Sequence, residues 1–526
     1  VVAATPGASY RPFGPLAGPT FGTVPPTTET RGYDFRYAPT GIALSGGQFA
    51  WTYATDANGN VLSISDGTGG GGDRSFGYQE WQQYLTTATG PWGFRYWSYD
   101  RIGNRTRQNW LLSHPYTYVR NPLGGNTPLL ESVRLGNELP LSTRFYTFDA
   151  GGFLTQTAVI APFRNPEPPA HLTFDAAGTL TDLSAGGKPL TFGYDGRGLL
   201  ARAERGDTPY ALPTYSSEGR LYSLHTIDLA SRKTSESRTG LLYFAGRPVA
   251  QWREAVGGGG GGALTFLTTD HLGTPACALG EDASVTWSGG FEPFGRDWQE
   301  GSAQSALANG ILLRLPGQWD HPFWHRGLGN EGFGADLYYN VHRWYEAGTG
   351  RYVSADPLPM HLLEEDSTFI YVSSNPMVGS DPLGLCELKP CSEFPGPPPV
   401  CSCDRSRAAE AAKGSSSLAR RFCANRNSAE RPTGIADSDS LDPCDPRVKG
   451  MVGPDGSAQY KPQGDPCLEW CTCQHENQHV RDIKDPRVTK MMYAGIAIQQ
   501  VVNWLECRAY TTGTFCLRGY AQGGQP

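Results

Sequence analysis

The stretch Tyr53-Ala54-Thr55-Asp56-Ala57-Asn58-Gly59-Asn60-Val61-Leu62 contains the pattern that decides the fold of most of this chain. An aromatic residue precedes an acidic one, a glycine follows, and an alternating apolar stretch comes next. Clustered Asp, Asn and Gly provide the left-handed backbone conformations of a tight turn. Aromatic and β-branched residues on both sides of such a turn are typical of strands. The stretch therefore predicts a β-hairpin.

The same pattern recurs along the first 385 residues, with further copies that begin at Tyr99, Phe148, Phe174, Tyr194 and Tyr215. One hairpin cannot bury its own apolar face, so the copies must stack into a continuous sheet. The composition agrees, because the 526 residues include 67 Gly and 41 Pro, and only 18% are charged. Such usage favours short strands joined by tight turns over helix bundles.

These copies resemble the tyrosine-aspartate (YD) repeats of the RHS family, and several longer motifs strengthen the resemblance. The motifs are Tyr10-Arg11-Pro12-Phe13-Gly14-Pro15, Asp270-His271-Leu272-Gly273-Thr274-Pro275, Phe291-Glu292-Pro293-Phe294-Gly295, the run 336–357, Asn375-Pro376 and Asp381-Pro382-Leu383-Gly384-Leu385. Family members wind their β-sheet into a hollow cocoon around a C-terminal toxin. The resemblance therefore implies a mostly β fold, with a YD-repeat shell over 1–265 and an RHS-associated core over 266–385. The first residue is not Met, so we expect the chain to begin inside a longer product and its shell to be incomplete.

The resemblance also implies that the chain cuts itself at the end of this core. In the family, Asp-Pro-x-Gly-Leu closes the core and cleavage follows the Leu, which here places the scissile bond between Leu385 and Cys386. Family members use a pair of aspartates with an arginine nearby, and two carboxylates that share one proton can supply an acid and a base. The matching residues are Asp356, Asp381 and Arg343, with Arg351 as the alternative arginine. In the competing interpretation, both Asp-Pro pairs only cap turns.

Cysteine placement marks a boundary near residue 385. The chain has 12 cysteines, and Cys277 is the one that lies before residue 386. The 44 Lys and Arg residues are outnumbered by 51 Asp and Glu residues, and neither part has the basic excess expected of a nucleic-acid binder. We therefore expect no nucleic-acid partner. No apolar run reaches the roughly 18 residues of a membrane span.

Residues 386–526 are expected to form a separate, cysteine-rich and α-rich domain. The proline-rich segment 386–400 predicts a linker, and the Pro, Asp and Gly content of 432–466 predicts loops. Apolar periodicity predicts two helices, around 468–483 and 489–509. The first of them contains His475-Glu476-Asn477-Gln478-His479, an HExxH motif.

HExxH on a helix is the pattern of a zinc peptidase, because positions i and i+4 share a face and both imidazoles can bind one Zn²⁺ ion. We expect His475 and His479 to bind the metal and Glu476 to act as the general base. Glu506, on the following helix, is the favoured third ligand, as in gluzincins, and Asp485 is the alternative. Tyr510, one turn beyond Glu506, could stabilise the oxyanion.

The eleven C-terminal cysteines allow two interpretations. Disulfides suit secretion or action in a periplasm. A second, structural zinc site could instead use the two CxC pairs, which are Cys401, Cys403, Cys471 and Cys473.

The sequence thus predicts a self-cleaving RHS shell that encapsulates and delivers a zinc-dependent peptidase toxin, as in interbacterial competition. The implied location is secreted and delivered into the cytoplasm or periplasm of a target cell, with type VI secretion among the possible routes. The implied partners are a target-cell protein substrate, a cognate immunity protein, and a component of the secretion apparatus or a chaperone. Two alternatives stay open: a toxin of other enzymatic chemistry, and a cell-surface repeat protein with a disulfide-rich adhesion tail.

Overall fold

The computed structural model describes residues 16–35, 37–80, 82–109, 113–122, 124–135, 142–160, 168–185, 189–205, 208–217, 219–228, 235–256, 262–325, 336–357 and 368–385. Beyond residue 385 it describes 389–390, 415, 450–452, 458–460, 471, 509–510 and 512.

The repeat pattern forms hairpins whose turns are closed by the acidic residue. Asp56 Oδ1 accepts hydrogen bonds from the backbone N–H groups of Asn58 and Asn60, at 2.8 and 2.9 Å. Gly59 has a φ of 85°, a conformation that costs other residues a steric penalty. The same pair of side-chain bonds, to the second and fourth residues after the aspartate, recurs at Asp100, Asp149, Asp175 and Asp195. The hairpin prediction is confirmed.

Tyrosine side chains link one hairpin to the preceding hairpin at several places. Tyr78 Oη donates to the carbonyl of Val61 at 2.7 Å, and Tyr194 Oη donates to the carbonyl of Leu180 at 2.6 Å. Tyr99 and Tyr118 make the same kind of bond, to Leu85 and Arg105. At Tyr99-Asp100 and Tyr194-Asp195 the pair therefore has two functions, because the aspartate closes its own turn and the tyrosine ties that turn to its neighbour.

Twenty-four strands form one antiparallel meander in which each strand pairs with the next along the chain. The strands are β1 Thr20–Phe21, β2 Thr27–Tyr33, β3 Pro39–Leu44, β4 Ala50–Thr55, β5 Val61–Asp66, β6 Arg74–Tyr78, β7 Leu85–Gly90, β8 Gly93–Tyr99, β9 Arg105–Asn109, β10 Ser113–Arg120, β11 Asn126–Leu135, β12 Ser142–Phe148, β13 Leu154–Ile160, β14 Ala170–Phe174, β15 Leu180–Ala185, β16 Leu190–Tyr194, β17 Leu200–Arg205, β18 Thr208–Tyr215, β19 Leu221–Asp228, β20 Ser235–Phe244, β21 Arg247–Ala255, β22 Ala263–Thr269, β23 Pro275–Leu279 and β24 Val285–Ser288. The prediction of a mostly β fold is confirmed. Strand β22 crosses the boundary that the sequence placed between residues 265 and 266.

The sheet bends so that its first strands lie against its last ones. The rings of Phe21 on β1 and Phe266 on β22 have centroids 5.6 Å apart. Arg31 on β2 donates from Nη2 to the carbonyl of Thr269 at 2.8 Å. A buried apolar cluster spans both groups of strands and includes Ile42 and Val249. The meander is therefore curved back on itself.

From here on we call the 24-stranded sheet the wall. The segment after β24 packs on this wall. It contains the short helix α1 Pro322–His325, a three-stranded sheet of β25 Leu337–Asn340, β26 Arg343–Glu346 and β27 Arg351–Tyr352, and a 3-10 turn at Val372–Ser374. Trp324 and Trp344 share one buried cluster with wall residues such as Phe192 and Leu224. The wall and the three-stranded sheet thus have a common core.

Beyond residue 385 the described residues include a small antiparallel sheet of β28 Lys389–Pro390, β29 Gly450–Val452 and β30 Ala458–Tyr460. This differs from the sequence-based expectation of a linker over 386–400 and loops over 432–466. Backbone pairing between distant segments leaves little local signal, and Pro390 can join such a sheet only at an edge. The predicted helices around 468–483 and 489–509 lie almost wholly outside the described residues. Within the described part, no helix is long and apolar enough to cross a membrane.

Candidate functional site

The site lies where three parts of the core meet. Arg343 is the first residue of β26, Asp356 follows β27, and Asp381 opens the turn that ends at Leu385. Asp356 is held in place by a hydrogen bond of 2.9 Å from its backbone N–H to the carbonyl of Thr368. Residues separated by up to 42 positions in the chain therefore face one another.

One arginine nitrogen contacts both aspartates. Arg343 Nη2 lies 2.8 Å from Asp356 Oδ2 and 3.2 Å from Asp381 Oδ2. The side chains of all three residues are 4 to 5% exposed. Water screens a buried cluster of this kind poorly, so the positive charge of the guanidinium interacts strongly with both carboxylates. Two anionic groups can thus stay close together beside one cation.

Asp381 also holds the residue that carries the predicted scissile carbonyl. Leu385 N donates to Asp381 Oδ1 at 3.0 Å, and Leu385 is 8% exposed. Arg343 Nε donates to the carbonyl of Gly384, so the aspartate and the arginine bind the two ends of the peptide group between Gly384 and Leu385. Gly384 has a φ of 71°, and a Cβ atom there would lie 2.3 Å from the carbonyl oxygen of Asn340. Glycine is therefore required for the chain to pass this point.

Two further side chains complete the cluster. Tyr352 Oη donates to Asp381 Oδ2 at 2.7 Å, and Arg343 Cζ lies 3.5 Å from the centroid of the Tyr352 ring. Asn340 Nδ2 donates to Tyr352 Oη at 2.8 Å and to the carbonyl of Asp381 at 3.0 Å. Burial, followed by the negative charge of Asp381, raises the pKa of Tyr352 well above its ordinary value, so its hydroxyl remains a donor.

The structure thus brings together Arg343, Asp356, Asp381 and Leu385, all of which the sequence singled out. It places the alternative arginine elsewhere, because Arg351 Nη1 donates to Asn104 Oδ1 at 3.1 Å and Arg351 Nη2 donates to the carbonyl of Pro128. Arg351 therefore binds the wall. Two buried carboxylates can activate water for attack on a peptide carbonyl, and a cation between them can offset the negative charge that develops.

The sequence-based prediction missed Tyr352 and Asn340. Both lie inside the motif runs, in Gly350-Arg351-Tyr352 and in Tyr338-Tyr339-Asn340. Tyr352 could equally have been a buried strand residue without a role at the site, since aromatic residues are common in strands. Proximity to the motif was the one available signal.

The predicted zinc site lies outside the described residues. This applies to His475, Glu476, His479, Glu506 and the alternative Asp485, and also to Cys386 on the far side of the scissile bond. Among the described C-terminal residues, Tyr510 has helical backbone and its carbonyl accepts a bond from Ser415 Oγ at 3.2 Å. Cys471 is buried and disulfide-bonded. That bond supports the disulfide interpretation and removes Cys471 from the candidate structural zinc site.

Comparison with protein-family models gave no match. Part of the chain is similar to Toxin protein Tse5 of Pseudomonas aeruginosa, with 32% identity over 122 residues, which are 23% of this chain and 8% of that protein. Another similar protein is the putative uncharacterized protein YibJ of Escherichia coli strain K12, with 28% identity over 120 residues, 23% of this chain and 44% of that protein. The chain therefore spans less than half the length of these relatives.

Among solved structures, the chain is similar to the Photorhabdus luminescens Tc holotoxin pore at 18% identity and a TM-score of 0.41, covering 71% of this chain and 21% of that one. The match to a toxin protein, with the repeat and core motifs, supports a relationship to toxin shells of the RHS type.

Proposed function

We propose that this chain is a self-cleaving shell that releases residues 386–526 as a toxin. The observation that carries the proposal is the buried cluster of Asp356, Arg343 and Asp381 on the turn that ends at Leu385. The similarity to Toxin protein Tse5 supports the toxin half of the proposal. In this proposal the released part acts after delivery into the cytoplasm or periplasm of a target cell.

In the proposed reaction, water attacks the carbonyl carbon of Leu385. Asp356 accepts the proton of the water as the new C–O bond forms. Asp381 keeps the peptide in place through the N–H of Leu385, and the Arg343 guanidinium offsets the charge on the oxyanion. The C–N bond to Cys386 then breaks, and its nitrogen takes a proton from the carboxyl pair. The products are a Leu385 carboxylate and a free Cys386 amine.

The cleavage test uses the full chain, analysed by gel and by intact mass. The wild type should give two fragments that meet at the bond between Leu385 and Cys386, whereas Asp356→Asn and Asp381→Asn should stay whole. Asp175→Asn is the matched control, because this turn aspartate accepts backbone N–H bonds from Ala177 and Thr179 on the wall instead of from the turn that ends at Leu385. Normal cleavage in both cluster variants would remove the proposal.

We call the released residues 386–526 the payload. For this payload we propose a zinc peptidase with His475, His479 and Glu506 as metal ligands and Asp485 as the alternative third ligand. Two imidazoles and a carboxylate are a donor set that suits Zn²⁺. Bound zinc would supply Lewis-acid activation of water and of the substrate carbonyl. Glu476 would take the proton from the water and pass it to the leaving amine, and Tyr510 would donate a hydrogen bond to the oxyanion.

The payload test measures zinc in the released fragment and growth of cells that express residues 386–526. Growth inhibition that Glu476→Ala abolishes would support the peptidase. Undiminished inhibition in that variant, or a fragment without zinc, would point to other toxin chemistry. The disulfide at Cys471 favours a second candidate function for residues 386–526, a disulfide-rich adhesion tail. Such a tail should not inhibit growth in the cytoplasm or the periplasm.

Under this proposal the partners are a target-cell protein as substrate, a cognate immunity protein, and a secretion component or chaperone. Affinity purification of the Glu476→Ala fragment from target cells is the route to the substrate, because the inactive enzyme should retain it.

A further inference from the structure

We infer that Tyr352 is a positioning residue for self-cleavage, with its hydroxyl fixing the Asp381 carboxylate and its ring seating the Arg343 guanidinium. The inference rests on the proposed self-cleavage and adds a residue that positions two members of its cluster.

The hydroxyl of Tyr352 binds the same carboxylate oxygen of Asp381 that Arg343 binds. Asp381 Oδ2 accepts from Tyr352 Oη at 2.7 Å and from Arg343 Nη2 at 3.2 Å, while Oδ1 accepts from Leu385 N at 3.0 Å. The two oxygens therefore have different partners, and rotation of the carboxylate would break bonds at both. The tyrosine bond to Oδ2 thus keeps Oδ1 directed at the N–H of Leu385, the residue whose carbonyl is to be attacked.

The ring of Tyr352 has a separate role. Arg343 Cζ lies 3.5 Å from the ring centroid, which is within the range of a cation–π contact. Tyr352 is 3% exposed, so the ring also excludes water from one side of the guanidinium. A phenylalanine could seat the arginine in the same way, but it could not donate to Asp381. Tyr352→Phe, which removes one oxygen atom, can therefore separate the two roles.

Asn340 fixes the hydroxyl in turn. Its amide nitrogen has two hydrogens, and it donates to Tyr352 Oη and to the carbonyl of Asp381. The hydroxyl accepts the first of these bonds, which leaves its own hydrogen directed at Asp381 Oδ2. Asn340, Tyr352 and Asp381 thus form a closed ring of hydrogen bonds that spans 41 residues of sequence.

The charged and titratable groups that face Tyr352 come from every neighbouring element. Arg343 and Tyr345 lie on β26, Asp381 lies on the turn, and Tyr371 precedes the 3-10 turn. The Tyr345 and Tyr371 rings are 5.6 and 6.1 Å from the Tyr352 ring. Asp381 and Arg343 are the charged members of this set, and both belong to the cleavage cluster.

The test compares Tyr352→Phe with wild type in a cell-free translation, with timed samples analysed by gel across a range of pH. Loss of a hydrogen bond to a charged acceptor should slow cleavage about ten- to hundredfold. The acidic limb of the pH–rate profile should also move to higher pH, because the charged form of the carboxylate cluster loses a hydrogen-bond donor. Asn340→Ala, a second variant, should shift that limb in the same direction.

Tyr345→Phe is the matched control. Tyr345 is fully buried beside Tyr352, and its hydroxyl donates to the carbonyl of Phe294 at 2.9 Å instead of to an aspartate. This variant should keep the wild-type pH profile. Tyr352→Phe with the wild-type rate and profile would overturn the inference while leaving self-cleavage intact. Slower cleavage without a shift, matched by Tyr345→Phe, would reduce Tyr352 to a packing role. An uncut wild-type chain would remove both the inference and the proposed function.

Discussion

A buried ion pair joins the wall to the three-stranded sheet of β25, β26 and β27. We expect this pair to govern the stability of the shell. Arg144 on β12 places Nη1 2.5 Å from Glu346 Oε1 on β26, and the two side chains are 10% and 6% exposed. At that distance the attraction is about 7 kcal/mol for an effective dielectric constant near 20. Desolvation offsets part of it, so removing one partner should cost about 3–5 kcal/mol. Arg144→Met is the perturbation we choose, since it keeps most of the apolar volume.

The cost of Arg144→Met should depend on pH. Burial raises the pKa of Glu346 above its ordinary value of 4.5, although Arg144 opposes that shift. A group whose pKa is higher in the folded state than in the unfolded state stabilises the fold at pH values below its unfolded-state pKa. This contribution is lost as the pH rises through the folded-state pKa. Without Arg144 the folded-state pKa rises further. The variant should therefore lose little stability near pH 4 and the full amount near pH 8.

Thermal unfolding at pH 4 and pH 8 measures this effect. An unfolding entropy of about 2 cal/mol/K per residue makes 1 kcal/mol equivalent to about 1 °C for a shell of this size, so we expect a midpoint lowered by about 3–6 °C at pH 8. Arg197→Met is the control, because its pair with Asp195 is 52% and 31% exposed and should contribute less than about 1 kcal/mol. Equal losses at both pH values, or a loss no larger than that of the control, would refute the reasoning.

Three further predictions concern the turn, the repeats and the payload. Gly384→Ala should leave the chain uncut on a gel, because the added Cβ would lie 2.3 Å from the carbonyl oxygen of Asn340. Tyr194→Phe should lower the free energy of unfolding by about 1–3 kcal/mol in a denaturant titration, since the hydroxyl loses its bonds to the Leu180 carbonyl and from Trp344 Nε1. His475→Ala should remove one equivalent of zinc from the released fragment, as measured by elemental analysis.

The hairpins could be predicted because their determinants are local. Asp56 closes its turn on residues two and four positions ahead, and Gly59 supplies the left-handed conformation within the same turn. A single sequence shows such short-range chemistry directly. The six copies of the pattern account for only part of the 24 strands of the meander.

Contacts between distant segments could not be predicted in this way. The bend that brings Phe21 to Phe266 depends on the summed twist of many strands, which no single repeat encodes. The pairing of Lys389–Pro390 with residues 459–460 is another long-range contact, and the local composition favoured loops there. At the candidate site, motif resemblance supplied Asp356 and Asp381, whereas Tyr352 and Asn340 became visible only through the fold.

Strand β26 explains how the wall and the candidate site are coupled. Successive side chains of a strand point to opposite faces. Trp344 and Glu346 face the wall, where Trp344 Nε1 donates to Tyr194 Oη at 3.1 Å and Glu346 binds Arg144. Arg343 and Tyr345 face the other way, towards Tyr352. The strand therefore holds Arg343 in place only when its other face is packed on the folded repeats. Under the proposed function, cleavage should therefore follow assembly of the wall.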